Sequence, residues 1–180
     1  KPSVNTNLII EKLAYNGDTL GNLALVVSLL KPGEPLSIEA ELYRGKLKTI
    51  VAHGTFDPEN KNNNMDLDVI LDKLKIFPLE QVLGGIFTGI DGVAMGRMKL
   101  NGTLQKPVLT GSLQIQRARF TIDYLKTRYS FAHTVRFSEN CISFDTVYVY
   151  DMKGNKAIVN GKVNHDYFRD YKYGFKIEAT

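Results

Sequence analysis

The sequence predicts an all-β protein, a mostly antiparallel sheet of about eleven strands with one short helix. In run after run, apolar residues alternate with polar ones at a period of two, as in strands with one dry and one wet face. Clusters of Gly, Pro, Asn and Asp separate these runs and mark turns. Only one segment carries apolar residues at helical spacing.

Length and composition indicate one folded domain. The chain has 180 residues, 43% of them hydrophobic and 23% charged, which suits a domain with its own core, and we expect a single domain over residues 1–180. Its one cysteine, Cys141, excludes an internal disulfide and a thiolate metal site. The chain starts at Lys1 without a Met and shows no charged-then-apolar leader, and no apolar run in it approaches the ~20 residues of a membrane helix. We therefore expect a segment of a longer protein.

The first half of the chain predicts five strands. Residues 23–29 are apolar on nearly both faces, so this strand is expected to be covered on both sides. The alternation slips once between Leu47 and Ile50, as a β-bulge would make it do. The five predicted strands are 8–15, 23–29, 36–43, 47–56 and 65–72.

The segment 77–87 (FPLEQVLGGIF) breaks the alternation. Pro78 suits the first turn of a helix, Leu79, Val82 and Leu83 fall at helical spacing, and a glycine pair follows. These features predict a single helix of about two turns.

The second half returns to strands. Leu113 and Ile115 alternate with polar residues, and Phe120 and Ile122 repeat the scheme after a break at 117–119, where we expect a turn or bulge. Further predicted strands are 89–104, 157–163 and 171–177, and further alternating apolar pairs are Val135 with Phe137, Ile142 with Phe144, and Val147 with Val149. A weak internal echo links AHGTF, LNGTL and VNGKV around Gly54, Gly102 and Gly161, and suggests reiteration of one unit.

Charge and motifs argue against nucleic-acid binding and catalysis. The formal net charge is only +4, and the basic residues at 117, 119, 126 and 128, which form a local cluster, are interpreted as a solvated strand face. His53, His133 and His165 are interpreted as surface or strand-end residues, because none has metal-site spacing. Asp66, Asp68 and Asp72 share the polar face of one strand and are interpreted as a solvated outer face. No serine-elbow, phosphate-loop or dinucleotide motif occurs, so we expect no catalytic residue, metal or cofactor.

What remains is an unusual amount of one-sided apolar strand. If the sheet curls into a trough, its apolar face forms a continuous groove, and exposed apolar surface of that extent normally binds a ligand or partner. The side chains that we expect to line this groove are Leu113, Ile115, Phe120, Ile122, Val135, Phe137, Ile142 and Phe144.

The second half of the chain resembles a known family. GTLQKPVLTGSLQIQRARFTIDYLKTRYSF, followed by VRFSENCISFDTVYVYDMKGNKAIVNGKVNHDYF, is similar to the C-terminal domain of the TamB family of AsmA-like bacterial envelope proteins. The resemblance covers about residues 73–180. The matching positions are Gly102, Thr103, Pro107, Gly111, Tyr129, Phe131, Ile142, Phe144, Asp151, Gly154, Gly161 and Val163.

The resemblance implies a fold, a location and a function. The fold would be a U-shaped β-taco with a hydrophobic inner face, in a periplasmic protein anchored to the inner membrane outside this segment. The function would be to carry phospholipid acyl chains to the outer membrane, in some members alongside an Omp85-type outer-membrane barrel. No catalytic residue is implied.

Two other functions remain open. The first is a β scaffold that assists outer-membrane protein assembly by strand addition at its sheet edges, and a filled sandwich core would favour it. The second is a carbohydrate-active or carbohydrate-binding β domain, for which exposed Trp would be expected, and the chain has none.

Overall fold

The computed structural model describes residues 4–15, 17–29, 31–83 and 87–179. All eleven strands in these ranges belong to one antiparallel sheet, in which they follow one another in sequence order. The strands are β1 Val4–Tyr15, β2 Asp18–Leu29, β3 Leu36–Arg44, β4 Leu47–Phe56, β5 Met65–Lys75, β6 Phe87–Gly102, β7 Pro107–Ile122, β8 Thr127–Ser138, β9 Cys141–Asp151, β10 Lys156–Asp166 and β11 Arg169–Ala179. The predicted all-β, antiparallel fold class is confirmed.

The chain forms two compact units. The first comprises Lys1–Asp72 and Gly96–Gly111, and the second comprises Lys73–Met95 and Ser112–Thr180. Strands β5, β6 and β7 therefore each contribute residues to both units. No helix among the described residues is long and apolar enough to span a membrane.

In the first unit the strand register sorts residues by polarity. Leu42 pairs with Ile50, and Ile50 pairs with Leu71, so these side chains share one face. Three residues further along β4, His53 pairs with Asp68 on the opposite face. The alternation in the sequence is thus a real division into an apolar and a polar face.

The slip predicted between Leu47 and Ile50 is a β-bulge. The register shifts between the pairs Leu42–Ile50 and Tyr43–Lys48, which leaves Thr49 as the extra residue. Thr49 is buried, and its hydroxyl donates a 3.2 Å hydrogen bond to the carbonyl of Leu42. This bond satisfies a polar group that burial would otherwise leave unpaired.

The expectation that the second strand is covered on both sides is wrong. The apolar residues 23–29 of β2 are half-buried on both faces. Because every described strand belongs to the same sheet, no second sheet packs against β2. Its neighbours in the sheet are β1 and β3.

The predicted helix is shorter than two turns. Helix α1 spans Leu79–Leu83, five residues that begin directly after Pro78. The glycine pair expected to end it, Gly84 and Gly85, lies outside the described residues.

The break predicted at 117–119 is a bulge inside one long strand. β7 runs for 16 residues through this point, and Arg117 has a φ of 51°. Leu113, Ile115 and Ala118 are all buried, so the bulge keeps the apolar side chains before and after it on one face. Tyr124, which simple alternation would add to this face, lies in the following turn and is 95% exposed.

The same bulge recurs in four strands. Lys12, Lys73, Arg117 and Thr146 have φ values of 54°, 50°, 51° and 55°. Each is the third residue of a six-residue segment whose first and fourth residues are apolar or Ala. We call this segment the bulged hexapeptide, and its copies are IEKLAY (10–15), LDKLKI (71–76), IQRARF (115–120) and FDTVYV (144–149).

The bulges leave backbone groups that the ladder cannot pair, and asparagines satisfy two of them. The amide of Lys12 donates to Asn22 Oδ1 at 3.0 Å, and the amide of Thr146 donates to Asn160 Oδ1 at 2.6 Å. In both cases the asparagine lies on the next strand, where it is the single residue that opposes two residues of the bulged strand. The bulge is therefore a built feature of the fold.

Candidate functional site

The predicted groove residues lie on one face of the second unit. The register pairs Phe137 with Ile142 and Ile142 with Val163, which makes a row of apolar side chains across β8, β9 and β10. Val163 in turn pairs with Tyr173 of β11. Of the eight predicted side chains, Leu113 and Ile115 are buried at 9% and 6% exposure, whereas Phe120, Ile122, Val135, Phe137, Ile142 and Phe144 are half-buried.

A second row across β9, β10 and β11 consists of two aromatic rings that stack above a glycine. Gly161 lies between Phe144 of β9 and Phe175 of β11, and the two rings stack with their centroids 6.1 Å apart. A β-carbon at Gly161 would lie 2.5 Å from Phe144 Cζ and 2.6 Å from Phe175 Cδ1. The absence of a side chain at Gly161 lets the rings meet over the strand.

A cluster of aromatic rings continues the face toward β6. Phe120 contacts Phe87 edge to face at 5.2 Å, and its ring also lies 5.9 Å from each of Tyr129 and Phe131. These contacts place Phe120 on the same face as the β8 aromatics. Edge and offset contacts of this kind stabilise an aromatic cluster beyond the burial of its area.

This apolar face is not covered by another sheet in the described part of the chain. Its outermost strand leaves Tyr173 and Phe175 40% exposed and Ile177 63% exposed. Half-buried aromatics beside exposed ones form a contiguous apolar surface. Such a surface in a folded protein marks a place where a ligand or partner binds.

The opposite face carries charge pairs. In the first unit, Lys99 lies 2.5 Å from a carboxylate oxygen of Asp66 and 3.4 Å from one of Asp68. The hydrogen bond from Lys99 lowers the pKa of Asp66 and raises the pKa of the lysine. Both carboxylates are more than half exposed, so the pairs keep this face solvated and contribute little to stability. Among the described residues, no group of three His, Cys, Asp or Glu side chains could hold a metal.

A denser charge cluster lies on the polar face of the second unit. Asp91 Oδ2 accepts a 2.6 Å hydrogen bond from Arg119, and Asp91 Oδ1 accepts one of 3.0 Å from Lys75. These bonds, with a further one from the Gly92 amide, hold the pKa of Asp91 well below its usual range. Of the basic cluster expected at 117–128, Arg119 forms an ion pair with Asp91, and Lys126 and Arg128 are exposed at the β7–β8 turn and the start of β8.

The alternation of the sequence does not reveal that Lys73 and Lys75 lie beside Arg117 and Arg119. The missed signal is the match between LDKLKI and IQRARF, whose third and fifth residues are basic in both. The two copies lie on β5 and β7, the two neighbours of β6. Their side chains therefore approach Asp91 from both sides.

The interpretation of His165 as a surface or strand-end residue is wrong about its burial. His165 is only 6% exposed and stacks on Phe168, with ring centroids 4.5 Å apart. Its Nδ1 accepts the amide hydrogen of Phe168 at 3.2 Å, whereas its Nε2 is buried without a hydrogen-bond partner in the described part of the chain. Burial lowers the pKa of this imidazole, and the carboxylate of Asp166 partly opposes the shift. The tight turn between β10 and β11 folds the Phe168 ring over His165, which alternation alone does not reveal.

This burial predicts a loss of stability in mild acid. Because the folded state favours neutral His165, the unfolded state binds more protons at a given pH. The stability that the protein gains from keeping His165 neutral is present in full above the ordinary histidine pKa of 6.5. It is lost as the pH falls toward the lower pKa that His165 has in the folded state. We expect urea unfolding to show a decline in stability in this range that His165→Phe, which keeps an aromatic ring but has no proton to bind, reduces. An equal decline in both proteins would contradict the assignment.

Comparison of the chain with known protein families, curated proteins and solved structures finds no significant match.

Proposed function

We propose that the apolar face binds the acyl chains of phospholipids, as a segment of a bridge-like carrier that moves them between the inner and outer membranes. The observation that carries this proposal is the set of apolar rows in the second unit, which no second sheet among the described residues covers. Leu113 and Ile115 form the buried part of the track. The six half-buried side chains, among them Phe120 and Phe137, offer contacts to a chain lying along it.

The energetics suit a hydrocarbon ligand. Each CH₂ group removed from water is worth ~0.8 kcal/mol, so a sixteen-carbon chain could gain on the order of 10 kcal/mol before ordering costs. This gain is not directional, and a chain could therefore slide between rows of similar side chains without a specific anchor. Transport along such a face requires no reaction and no cofactor.

The resemblance of residues 73–180 to the TamB family supports the same function. It implies a periplasmic protein that is anchored to the inner membrane by a part outside these 180 residues. An Omp85-type barrel would then be the partner at the outer membrane. The recurring bulged hexapeptide supports the proposal independently, because it keeps apolar side chains on one face along strands of 11 to 16 residues.

Lipid crosslinking tests the proposal directly. A photo-reactive phenylalanine analogue at Phe137 is expected to crosslink phospholipid, which mass spectrometry of the purified protein would identify. Phe120→Asp places a carboxylate in the track and is expected to lower crosslinking about tenfold, because a buried charge beside hydrocarbon is strongly unfavourable.

The control for this experiment is Thr134→Asp. Thr134 is exposed on the polar side of β8, so the same carboxylate there should leave crosslinking unchanged. Normal crosslinking in folded Phe120→Asp protein, or no lipid at the Phe137 probe, would rule the acyl-chain track out.

A scaffold that binds protein by strand addition is the second candidate. It is favoured by β11, which ends the strand order and exposes Phe175 and Ile177. The two functions differ in what copurifies with the protein. The carrier brings phospholipid, whereas the scaffold brings a polypeptide whose binding a proline in β11 would abolish.

A further inference from the structure

Two copies of the bulged hexapeptide place basic residues on the two strands that flank β6. Lys73 and Lys75 occupy the third and fifth positions of the copy in β5, and Arg117 and Arg119 occupy the same positions in β7. β6 lies between these strands and presents Asp91 to them. In the other two copies the fifth position is Ala or Tyr, so the double pair of cations is peculiar to this place.

These five side chains line a cavity of about 420 Å³, a volume within the usual range of small-ligand sites. Part of its wall is backbone, because Gly92 brings β6 close to β7. A β-carbon at Gly92 would lie only 2.9 Å from the Cα of Ala118. The neighbours of Asp91 and Arg119 along their strands, Ile90 and Ala118, are buried, so the cavity opens on the polar face, opposite the apolar track.

The charges in the cavity are not balanced. Four cations face one carboxylate, which leaves an excess of three positive charges. Asp91 holds Lys75 and Arg119 at 3.0 Å and 2.6 Å. Lys73 and Arg117 are exposed, and neither forms an ion pair with any residue in the described ranges. Lys73 and Arg117 both have a left-handed backbone conformation. Their side chains line the cavity together with Lys75 and Arg119, the two cations that Asp91 binds.

We propose that this cavity binds a phosphate monoester. A phosphate monoester carries about two negative charges near neutral pH, which complements the excess better than a single carboxylate does. Arg117 can donate to two phosphate oxygens at once, and Lys73 adds a point charge. The volume exceeds that of phosphate alone, so the ester group fits beside it. The ligand is therefore either a soluble phosphate ester or a lipid headgroup with a terminal phosphate, and the site is separate from the acyl-chain track.

Binding of a soluble probe is the first test. Glycerol 1-phosphate titrated into the protein is expected to shift the amide resonances of Gly92 and Arg117 saturably, whereas acetate at equal ionic strength does not. The double variant Lys73→Gln/Arg117→Gln should lower the affinity about tenfold or more, since hydrogen bonds to charged groups are the stronger kind. Both positions are exposed, so the variant is expected to fold.

The matched control is Arg44→Gln/Lys46→Gln. It removes the same charge from the exposed end of β3 and the turn before β4, and it should change the affinity by less than about twofold. An equal loss of affinity in both double variants, or equal shifts with acetate, would show a general charge effect and overturn the site.

Vesicle flotation distinguishes the sources of the phosphate. Vesicles containing phosphatidic acid are compared with vesicles of phosphatidylcholine alone. Binding to phosphatidic acid that Lys73→Gln/Arg117→Gln abolishes identifies a headgroup, and binding of glycerol 1-phosphate alone identifies a soluble ligand. Binding of neither overturns the proposal. The Phe120→Asp protein should retain phosphate binding, so failure of this site and failure of the acyl-chain track are separate results.

Discussion

Replacing Gly54 by alanine is expected to lower the free energy of unfolding of the first unit by about 3 kcal/mol. Gly54 lies in β4 opposite Leu67, in the row next to the pair of Thr55 and Asp66. A β-carbon there would overlap the carbonyl oxygen of Asp66 and lie 2.9 Å from the Cα of Leu67. Because both obstacles are backbone, β4 and β5 can separate only by losing ladder hydrogen bonds.

Gly174→Ala is the matched control for this change. Gly174 also lies inside a strand, but the nearest atom to its β-carbon would be Lys162 Cγ at 3.7 Å, an ordinary contact. Alanine there should change stability by no more than about 1 kcal/mol, because it restricts the unfolded chain at no steric cost. Urea unfolding followed by circular dichroism measures both variants. Similar stabilities for the two would show that β4 and β5 can separate freely at Gly54.

Alternation predicted the strands well where one face is dry. The predicted strand 47–56 coincides with β4, and 36–43 falls one residue short of β3. The alternation of apolar and polar residues did not predict strand residues that pair through backbone hydrogen bonds but do not alternate in polarity. β1 begins at Val4, four residues before the predicted start, because Val4, Asn5 and Thr6 pair with β2 although they do not alternate. Backbone hydrogen bonds of this kind leave no mark on side-chain polarity.

The candidate face was predictable, but the depth of each side chain in it was not. A period of two says which way Leu113 and Phe120 point, and the register agrees. It does not say that Leu113 is buried while Phe120 is half-buried, since that depends on strands far away in sequence. The basic cluster around Asp91 was missed for the same reason. Its two halves are brought together only by their position on either side of β6.

The internal echo around three glycines predicted one repeated unit, yet the glycines occupy different environments. Gly54 permits close backbone approach, Gly102 has a φ of 87° at the end of β6, and Gly161 lies beneath two aromatic rings. The repeat that the structure does contain is the bulged hexapeptide. Its signature is a shift of one residue in the apolar period, which a search for matching letters does not detect.

Deletion of Thr146 is expected to destabilise the second unit by about 3 to 6 kcal/mol, the cost of exposing two buried valines. Without the extra residue, the strand beyond this point changes face. Val147 and Val149, now 4% and 7% exposed, would turn toward the polar side, and Tyr148 and Tyr150 would turn toward the apolar rows. Urea unfolding gives the loss of stability, and the Phe137 crosslinking probe reports whether the apolar track survives.

Thr146→Gly separates the bulge from the side chain that occupies it. Threonine is β-branched and has a φ of 55° here, a conformation that glycine adopts without strain. The glycine variant keeps the residue count and the amide that donates to Asn160, so it should gain about 1 kcal/mol of stability. Opposite signs for deletion and substitution would establish that the extra backbone residue, rather than the threonine side chain, aligns the two halves of β9. If the deletion is tolerated, β9 is aligned by its neighbours instead, and the bulged hexapeptide does not determine the apolar face.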